Sequence, residues 1–337
     1  MARVNRQIAL AAHPVGFPRV SDFSLTYSSL RSPVEGEVLV RSVYLSLDPF
    51  QRLLMNGAHS TLRPIAIGEV MVGAAVAIVV ESKHPAFRTG EAVVGMLGWQ
   101  EHAIIRGHEL RKLDPQIAPI STALGVLGMP GLAAYFGMLD IGDPIAGETA
   151  VVAGFVGAVG MLAGQIAKIV GCRVVGVAGS DAKASWLRDE MGFDAVLNST
   201  TAKNLGRQLA ALCPDGIDVY FDNVGGATTD AVVRQINFGA RIAICGQSSQ
   251  DNLERPEKGA RWLGELVVKQ ARVHGFQAAG YALRFAVARR KLVKWLHQGK
   301  LKYREDVAQG LEAAPQAFLG MLQGKSLGKQ LVQLANL

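Results

Sequence analysis

Short apolar runs broken by glycine and proline fill the first third of the chain. Residues 37–44, Glu37-Val-Leu-Val-Arg-Ser-Val-Tyr, alternate in part, as a half-buried strand does. Residues 73–81 form an apolar run that ends in a turn marked by Pro85 and Gly90, and residues 91–97 and 101–106 continue the pattern. Short strands with this punctuation predict a barrel-like β domain. The rhythm then changes. Strands are predicted at 148–154, 172–180, 194–197, 217–222, 241–246 and 271–277. Helices are predicted at 158–170, apolar around much of its surface, and at 182–191. This β-α-β-α alternation predicts an α/β fold with a doubly wound parallel sheet. The tail reads strand (300–307), helix (311–323), strand (330–334), more like the first section than the middle. The expected organisation is a discontinuous β domain, 1–124 with 300–337, around a dinucleotide-type domain, 125–299.

Composition narrows the classes. Of 337 residues, 49% are hydrophobic and 19% charged, which suits an ordered globular protein. The net charge of +7 is dispersed, with only short clusters such as Arg289-Arg290-Lys291. No zinc-finger spacing or aromatic RNA signature accompanies it, so an anionic small ligand such as a polyphosphate fits better than nucleic acid. Cys172, Cys213 and Cys245 are odd in number and far apart, against a secreted disulfide framework. No uninterrupted apolar stretch reaches the ~18 residues of a membrane helix. The start of the chain runs into no apolar segment, so a cytoplasmic location is expected.

The junction of the first middle strand and helix reads Ala150-Val-Val-Ala-Gly-Phe-Val-Gly-Ala-Val-Gly, with Gly154, Gly157 and Gly160 every third residue. Glycine permits a tight turn and a close backbone approach to a pyrophosphate. The helix start at Ala158 and Val159 then offers N–H groups and a partial positive charge. The next strand decides the dinucleotide. An NAD site places an acid at its end, but here Gly179 and Ser180 stand there, with Lys183 following. These suit a ribose 2′-phosphate, so NADP(H) is favoured over NAD. An inward Asp181 would oppose this, and Lys183 as an ordinary solvated residue is the alternative. Asn223, the Cys245-Gly246-Gln247 stretch and Phe276-Gln277 close the later strands, where open α/β sheets bind ligands.

Gly107-His108-Glu109 is like a zinc alcohol dehydrogenase motif, yet no cysteine precedes Cys172 and no four-cysteine lobe exists. A catalytic zinc needs three protein ligands, so no metal is expected. Nucleophile-elbow, P-loop and metalloprotease motifs are also missing. Without a metal to polarise a ketone, hydride addition to an enone is the easier reduction, because the enolate needs only hydrogen-bond donors and a proton.

The most specific stretches are Tyr44-Leu-Ser-Leu-Asp-Pro-Phe-Gln-Arg, Gly68-Glu-Val-Met-Val-Gly, Leu97-Gly-Trp-Gln-Glu and Leu124-Gly-Val-Leu-Gly-Met-Pro-Gly-Leu-Ala-Ala-Tyr-Phe-Gly. To these add Gly164-Gln-Ile-Ala-Lys, Ile217-Asp-Val-Tyr-Phe-Asp-Asn-Val-Gly-Gly, Arg241-Ile-Ala-Ile-Cys-Gly and Leu327-Gly-Lys. On these the chain resembles the zinc-independent medium-chain dehydrogenases/reductases, within them the prostaglandin reductase (leukotriene B4 dehydrogenase) group of NADPH-dependent alkenal and enone reductases. The resemblance implies a GroES-like β-barrel-type catalytic domain, a Rossmann domain, an active site in the cleft between them, and a homodimer. It implies that Gly179, Ser180 and Lys183 hold the 2′-phosphate, and that Met129, Asn223, Cys245 to Gln247, Phe276 and Gln277 line the nicotinamide half. Asn198 and Ser326 fall on cofactor positions and Phe50 on the substrate pocket.

Some positions depart from the family. Phe50 and Gln51 replace its Tyr-Met, Asp251-Asn252 its Tyr-Asn, Asn198-Ser199-Thr200 its Asn-Tyr-Lys, Ala133 a Thr, and Ser326 an Asn. Two pocket phenols are thereby lost. Water and the nicotinamide ribose hydroxyl would supply the proton, with Asp251 or Tyr281 assisting. A quinone reductase, or an NADPH-binding protein with little catalysis, are the alternative functions.

Overall fold

The computed structural model describes residues 3–56, 63–154, 157–255 and 257–336, with backbone alone for residues 3, 181–183 and 187. Strands β1 (Arg3–Leu10), β2 (Phe23–Leu30) and β3 (Glu37–Ser46) come first. The short helix α1 (Phe50–Leu54) precedes β4 (Ala74–Ser82), β5 (Ala92–Met96), β6 (His102–Arg106) and β7 (Arg111–Lys112). Next come α2 (Met129–Phe136), β8 (Thr149–Ala153), α3 (Ala158–Val170), β9 (Arg173–Ala178), α4 (Asp181–Met191) and β10 (Ala195–Asn198). The chain continues through α5 (Leu205–Leu212), β11 (Ile217–Asp222), α6 (Gly226–Val233), β12 (Ile236–Ile244), α7 (Leu263–Lys269), β13 (Arg272–Gly275) and α8 (Phe285–His297). It ends in β14 (Glu305–Gln309), α9 (Ala314–Leu322) and β15 (Lys329–Gln333). Helices α2, α5, α6 and α7 have eight residues or fewer, too short for a helical period to stand out in the pattern.

The chain forms two compact units, 1–124 with 305–337, and 125–304. In the first, a sheet of order β14-β15-β3-β4-β5-β7 carries β6 beside β3, and β1 pairs with β2 apart from it. Its core gathers around Trp99, stacked on Phe23 at 5.6 Å and met edge-on by Phe318 at 5.5 Å. Glu37 starts β3 against Arg31, whose guanidinium nitrogens lie 2.6 and 2.9 Å from the two carboxylate oxygens. The hydrogen bonds from Arg31 and the Val34 N–H hold that carboxyl down at about 2. An unfolded glutamate titrates near 4.5. The pair therefore contributes fully above pH 4.5 and is lost as the pH falls towards 2. Urea melts across that window should show Arg31→Ala losing stability at neutral pH but converging on wild type near pH 2.

In the second unit six strands run parallel in the order β10-β9-β8-β11-β12-β13. Every residue of central β8 is buried, as expected of a strand covered on both faces, whereas the edge strand β13 is exposed throughout. The strand read as 300–307 begins only at Glu305. Residues 300–304 pack in the second unit: Lys302 N–H donates to Gln165 Oε1 (2.7 Å), and the Gln165 amide returns to Lys302 O (2.9 Å). Arg304 also lies over the Trp186 ring at 5.7 Å. The expected 299/300 boundary thus moves to 304/305. The strand read as 241–246 starts earlier, at Ile236, because Gly239 (φ 74°) interrupts the alternation. The predicted helix 311–323 opens with a 3-10 turn, Leu311–Ala313, before α9.

Candidate functional site

At the carboxyl end of β8 the chain turns through Gly154 with φ 66°. A Cβ there would lie 2.9 Å from Val224 Cγ2 and 3.0 Å from Asn223 Cβ, so this corner packs directly on the loop after β11. Gly157 caps α3 without a side chain, leaving the N–H groups of the first turn, from Ala158 and Val159 on, for an anion. Phe155 and Val156 lie outside the described residues. Close packing of α3 falls to Gly164, where a Cβ would meet at 2.0 Å the ring of Phe193, in the loop between α4 and β10. The every-third-residue spacing of the corner gives no hint of that contact.

The ends of β9 and β10 are tied together. Ser199 donates to Ala178 O from its N–H (2.7 Å) and its hydroxyl (3.0 Å). The Thr200 hydroxyl donates to Gly179 O at 3.0 Å, and Thr200 N–H donates to Asn198 Oδ1 at 3.0 Å. Gly179 is exposed, and a Cβ there would meet only Thr200 Oγ1, at 3.9 Å. Ser180 leads into α4, accepting the Ala184 N–H at 3.0 Å. Lys183 lies in the first turn of α4, and the side chains of Asp181 and Lys183 fall outside what is described. The result is an open shelf of Gly179, Ser180 and Thr200, with no described acid. Thr200 joins the candidates only through its bond to Gly179, made across two strands.

Asp222, fully buried at the end of β11, organises the remaining corner. Its Oδ1 accepts the N–H groups of Val224 (2.8 Å) and Gly225 (2.9 Å), and its Oδ2 accepts the Thr229 hydroxyl (2.6 Å) and the Gln247 amide (3.3 Å). Its carbonyl accepts the Cys245 and Gly246 N–H groups at 2.8 and 3.2 Å. The Cys245 bond completes the parallel pairing of Asp222 with Ile244, the last residue of β12. Asn223 donates to Ala153 O at 3.3 Å, and Phe276 N–H donates to Ile244 O at 3.1 Å. Hydrogen bonds thus join the carboxyl ends of β8, β11, β12 and β13, with the Asp222 carboxylate holding the loops after β11 and β12. Beside them opens a cavity of about 520 Å³, reached by Ser199, Val224, Thr228, Ser249 and Arg255.

Val159, Cys245, Phe276 and Tyr281 pack into one cluster on Leu132 and Phe136. Tyr281 stacks on Phe136 at 4.5 Å and meets Phe276 edge-on at 6.5 Å. Burial, then the Asp222 charge, push the Cys245 thiol up to about 12, so it packs as a neutral group. Gln277 is exposed before the 3-10 turn Ala278–Arg284, and Met129 is half exposed at the first residue of α2. Asp251 sits half-buried on the loop tied to Asn223 and Val224 through Ser248 and Ser249 N–H groups. In the other unit, Phe50 opens α1 and is exposed, and Ser326 is half-buried between α9 and β15.

Known proteins share this arrangement. A family described as an N-terminal domain of oxidoreductase matches residues 6–113, and one described as zinc-binding dehydrogenase matches residues 158–292. The NADPH-dependent curcumin reductase of Escherichia coli strain K12 is 44% identical over 336 residues, 98% of this chain and 97% of that protein. Prostaglandin reductase 1 of Bos taurus is 42% identical over 330 residues, 96% and 97% of the two chains. The crystal structure of CurA from Vibrio vulnificus in complex with NADPH superposes with a TM-score of 0.94 at 46% identity, covering 98% of this chain and 100% of that one. The chain belongs to the zinc-independent medium-chain dehydrogenases/reductases. In this oxidoreductase the first unit is the GroES-like one and the second the Rossmann one.

One matching family carries zinc in its description, so the metal must be tested against the donors present. Among the described residues no group of three or more His, Cys, Asp and Glu side chains could hold a metal ion. His108 is exposed in the 3-10 turn Gly107–Glu109, while Cys172 and Cys213 are buried in the other unit. The described residues of this oxidoreductase thus do not fit a catalytic zinc. They do fit a dinucleotide: the Gly154 corner, the α3 N-terminus and the Gly179–Thr200 shelf supply N–H and hydroxyl groups and open space along one sheet edge.

Proposed function

We propose that this protein reduces the carbon–carbon double bond of α,β-unsaturated aldehydes and ketones with NADPH, without a metal. The observation that carries the reading is the glycine-lined corner held against the Asn223 loop at the end of a parallel sheet, beside the open shelf of Gly179, Ser180 and Thr200. The corner of Gly154 and Gly157, with the Ala158 and Val159 N–H groups, holds the pyrophosphate. Gly179, Ser180 and Lys183 hold the 2′-phosphate, with Asn198 fixing the Thr200 turn beside them. Asn223, Cys245, Gly246, Gln247, Phe276 and Gln277 line the nicotinamide, with Met129 and Ser326 completing its surroundings. Phe50, Asp251 and Tyr281 bound the substrate.

NADPH, when bound, supplies a hydride to the substrate β-carbon. The chain's own work is to hold the carbonyl oxygen near a donor while negative charge moves onto it, and to let a proton reach the α-carbon. The Tyr281 hydroxyl is the first candidate donor, with Asp251 ordering the water that supplies the proton.

The test follows NADPH absorbance with a panel of 2-alkenals, enones and quinones. Oxidation by alkenals and enones in preference to quinones is expected. A quinone-only response would make the protein a quinone reductase, and no response with NADPH still bound would make it a cofactor-binding protein. Unchanged enone turnover in Tyr281→Phe would remove that hydroxyl from the scheme. A larger thermal shift with NADH than with NADPH would sink the 2′-phosphate assignment.

A homodimer belongs to the same proposal. The outer edge of β13 is exposed, and Leu263, Val267 and Val268 of α7 are 71%, 77% and 71% exposed. An exposed strand edge beside an uncovered apolar helix suits pairing with a second copy, and sedimentation analysis would show it. A cytoplasmic location is also proposed: the three cysteines are free thiols, which a reducing compartment preserves. Among the described residues no helix is long and apolar enough to cross a membrane.

A further inference from the structure

Lys329 is a charged residue in the core of the first unit, 4% exposed at the start of β15. Its Nζ donates to Leu47 O at 2.6 Å and to Asp48 Oδ1 at 2.7 Å, across 282 and 281 positions of sequence. Asp48 is itself tied into the corner: its Oδ2 accepts the Ser46 hydroxyl, and its N–H donates to Gln51 Oε1 at 3.0 Å. The fully buried Gln51 amide donates to Ser46 O (3.1 Å) and Val72 O (2.9 Å). Arg52, 2% exposed, donates to Gly16 O at 2.7 Å. Beside Lys329 in the ladder stands Glu305, whose carboxyl is pushed up by burial.

A lysine buried this deeply is a poor stability device. A methionine of similar length would fill the space without desolvating a charge, and such replacements of whole pairs are often neutral. What the pair adds is geometry. A hydrogen-bonded charge accepts few arrangements, whereas apolar packing tolerates many. Phe50 follows Asp48 by two residues and Ser326 precedes Lys329 by three. These are the two first-unit residues assigned to the substrate and cofactor.

We propose that Lys329 and Asp48 are positioning residues: their buried pair locks the corner at residues 47–52 to the start of β15, and so fixes Phe50 and Ser326 in one register. This rests on the reading of Phe50 and Ser326 as residues of the reductase site.

The test compares full-length wild type with Lys329→Met, Asp48→Asn and the double variant. Melting temperature, hydrogen exchange of the segment 47–56, and kcat and KM for an enone are measured on each. Each single variant leaves one buried charge without its counter-charge, the Asp48 carboxylate keeping only the Ser46 hydroxyl or the Lys329 ammonium left on neutral acceptors such as Leu47 O, and should melt several degrees lower. The double variant should regain most of that loss. Its corner should nevertheless exchange about tenfold faster than wild type, with kcat/KM down about tenfold, as small misplacements near a reacting centre are costly. A double variant that regains stability, corner protection and kcat/KM together would overturn the proposal, leaving the pair a structural contact. If the wild type oxidises no NADPH with any enone, the reductase reading fails. The exchange data then still decide whether the pair orders the corner: wild-type protection in the double variant overturns that too.

Discussion

Valine in place of Gly154 should raise the NADPH dissociation constant by about a hundredfold, equivalent to about 2.7 kcal/mol. The corner has φ 66°, a region that costs an L residue roughly 1–2 kcal/mol. A β-branched residue fares worse there than alanine. The added Cβ would also lie 2.9 Å from Val224 Cγ2 and 3.0 Å from Asn223 Cβ. Relief requires the corner to lift off the Asn223 loop or to leave its left-handed turn. Either movement re-aims the N–H groups at the start of α3 on which a pyrophosphate depends. Gly154→Ala should fall between wild type and valine. Isothermal titration checks both, with circular dichroism confirming a folded chain. A folded Gly154→Val protein that binds NADPH as wild type does would remove the corner from the cofactor site.

Asp222→Ala should cost about 3–5 kcal/mol of stability, since several buried donors lose their acceptor at about 1–3 kcal/mol each before water and relaxation recover part of it. Those donors are the N–H groups of Val224 and Gly225 and the Thr229 hydroxyl, which also lies 3.2 Å from the Tyr220 hydroxyl. A loss of that size lowers the melting temperature by about 10 °C in a unit of this length. NADPH affinity should fall as well, because the Asn223 and Gln247 loops lose their common anchor. Thr229→Val, which removes one donor and leaves the carboxylate in place, should cost only about 1 kcal/mol. Urea denaturation of the two variants checks the ordering. A loss below 1 kcal/mol in Asp222→Ala would show that the loops hold their shape without the carboxylate.

Both substitutions fall where reading along the chain reached different depths. Gly154 stands out as a glycine between an apolar strand and a helix, and that setting is local. Asp222 reads as the polar end of Ile217-Asp-Val-Tyr-Phe-Asp, and nothing nearby in sequence shows that Gln247, 25 residues on, shares its oxygens. Thr200 is similar: its bond to Gly179 spans 21 residues and follows from the pairing of β9 with β10. Segment 300–304 failed for a related reason. Its alternation of apolar and charged residues matches a strand, but Gln165 claims the Lys302 backbone and keeps it off the sheet.

By itself the sequence determined the β-then-α/β order, the glycines of the first strand-to-helix corner and the preference for a 2′-phosphorylated dinucleotide. Each of these rests on turn chemistry, periodicity or residue inventory, which act over a few neighbouring positions. Only the tertiary structure decided that Asp222 anchors the strand-end loops, that Val159, Cys245, Phe276 and Tyr281 form one cluster, and that Lys329 reaches Asp48. Those contacts follow from strand order and sheet twist, which bring distant residues together and leave no periodic trace in the chain.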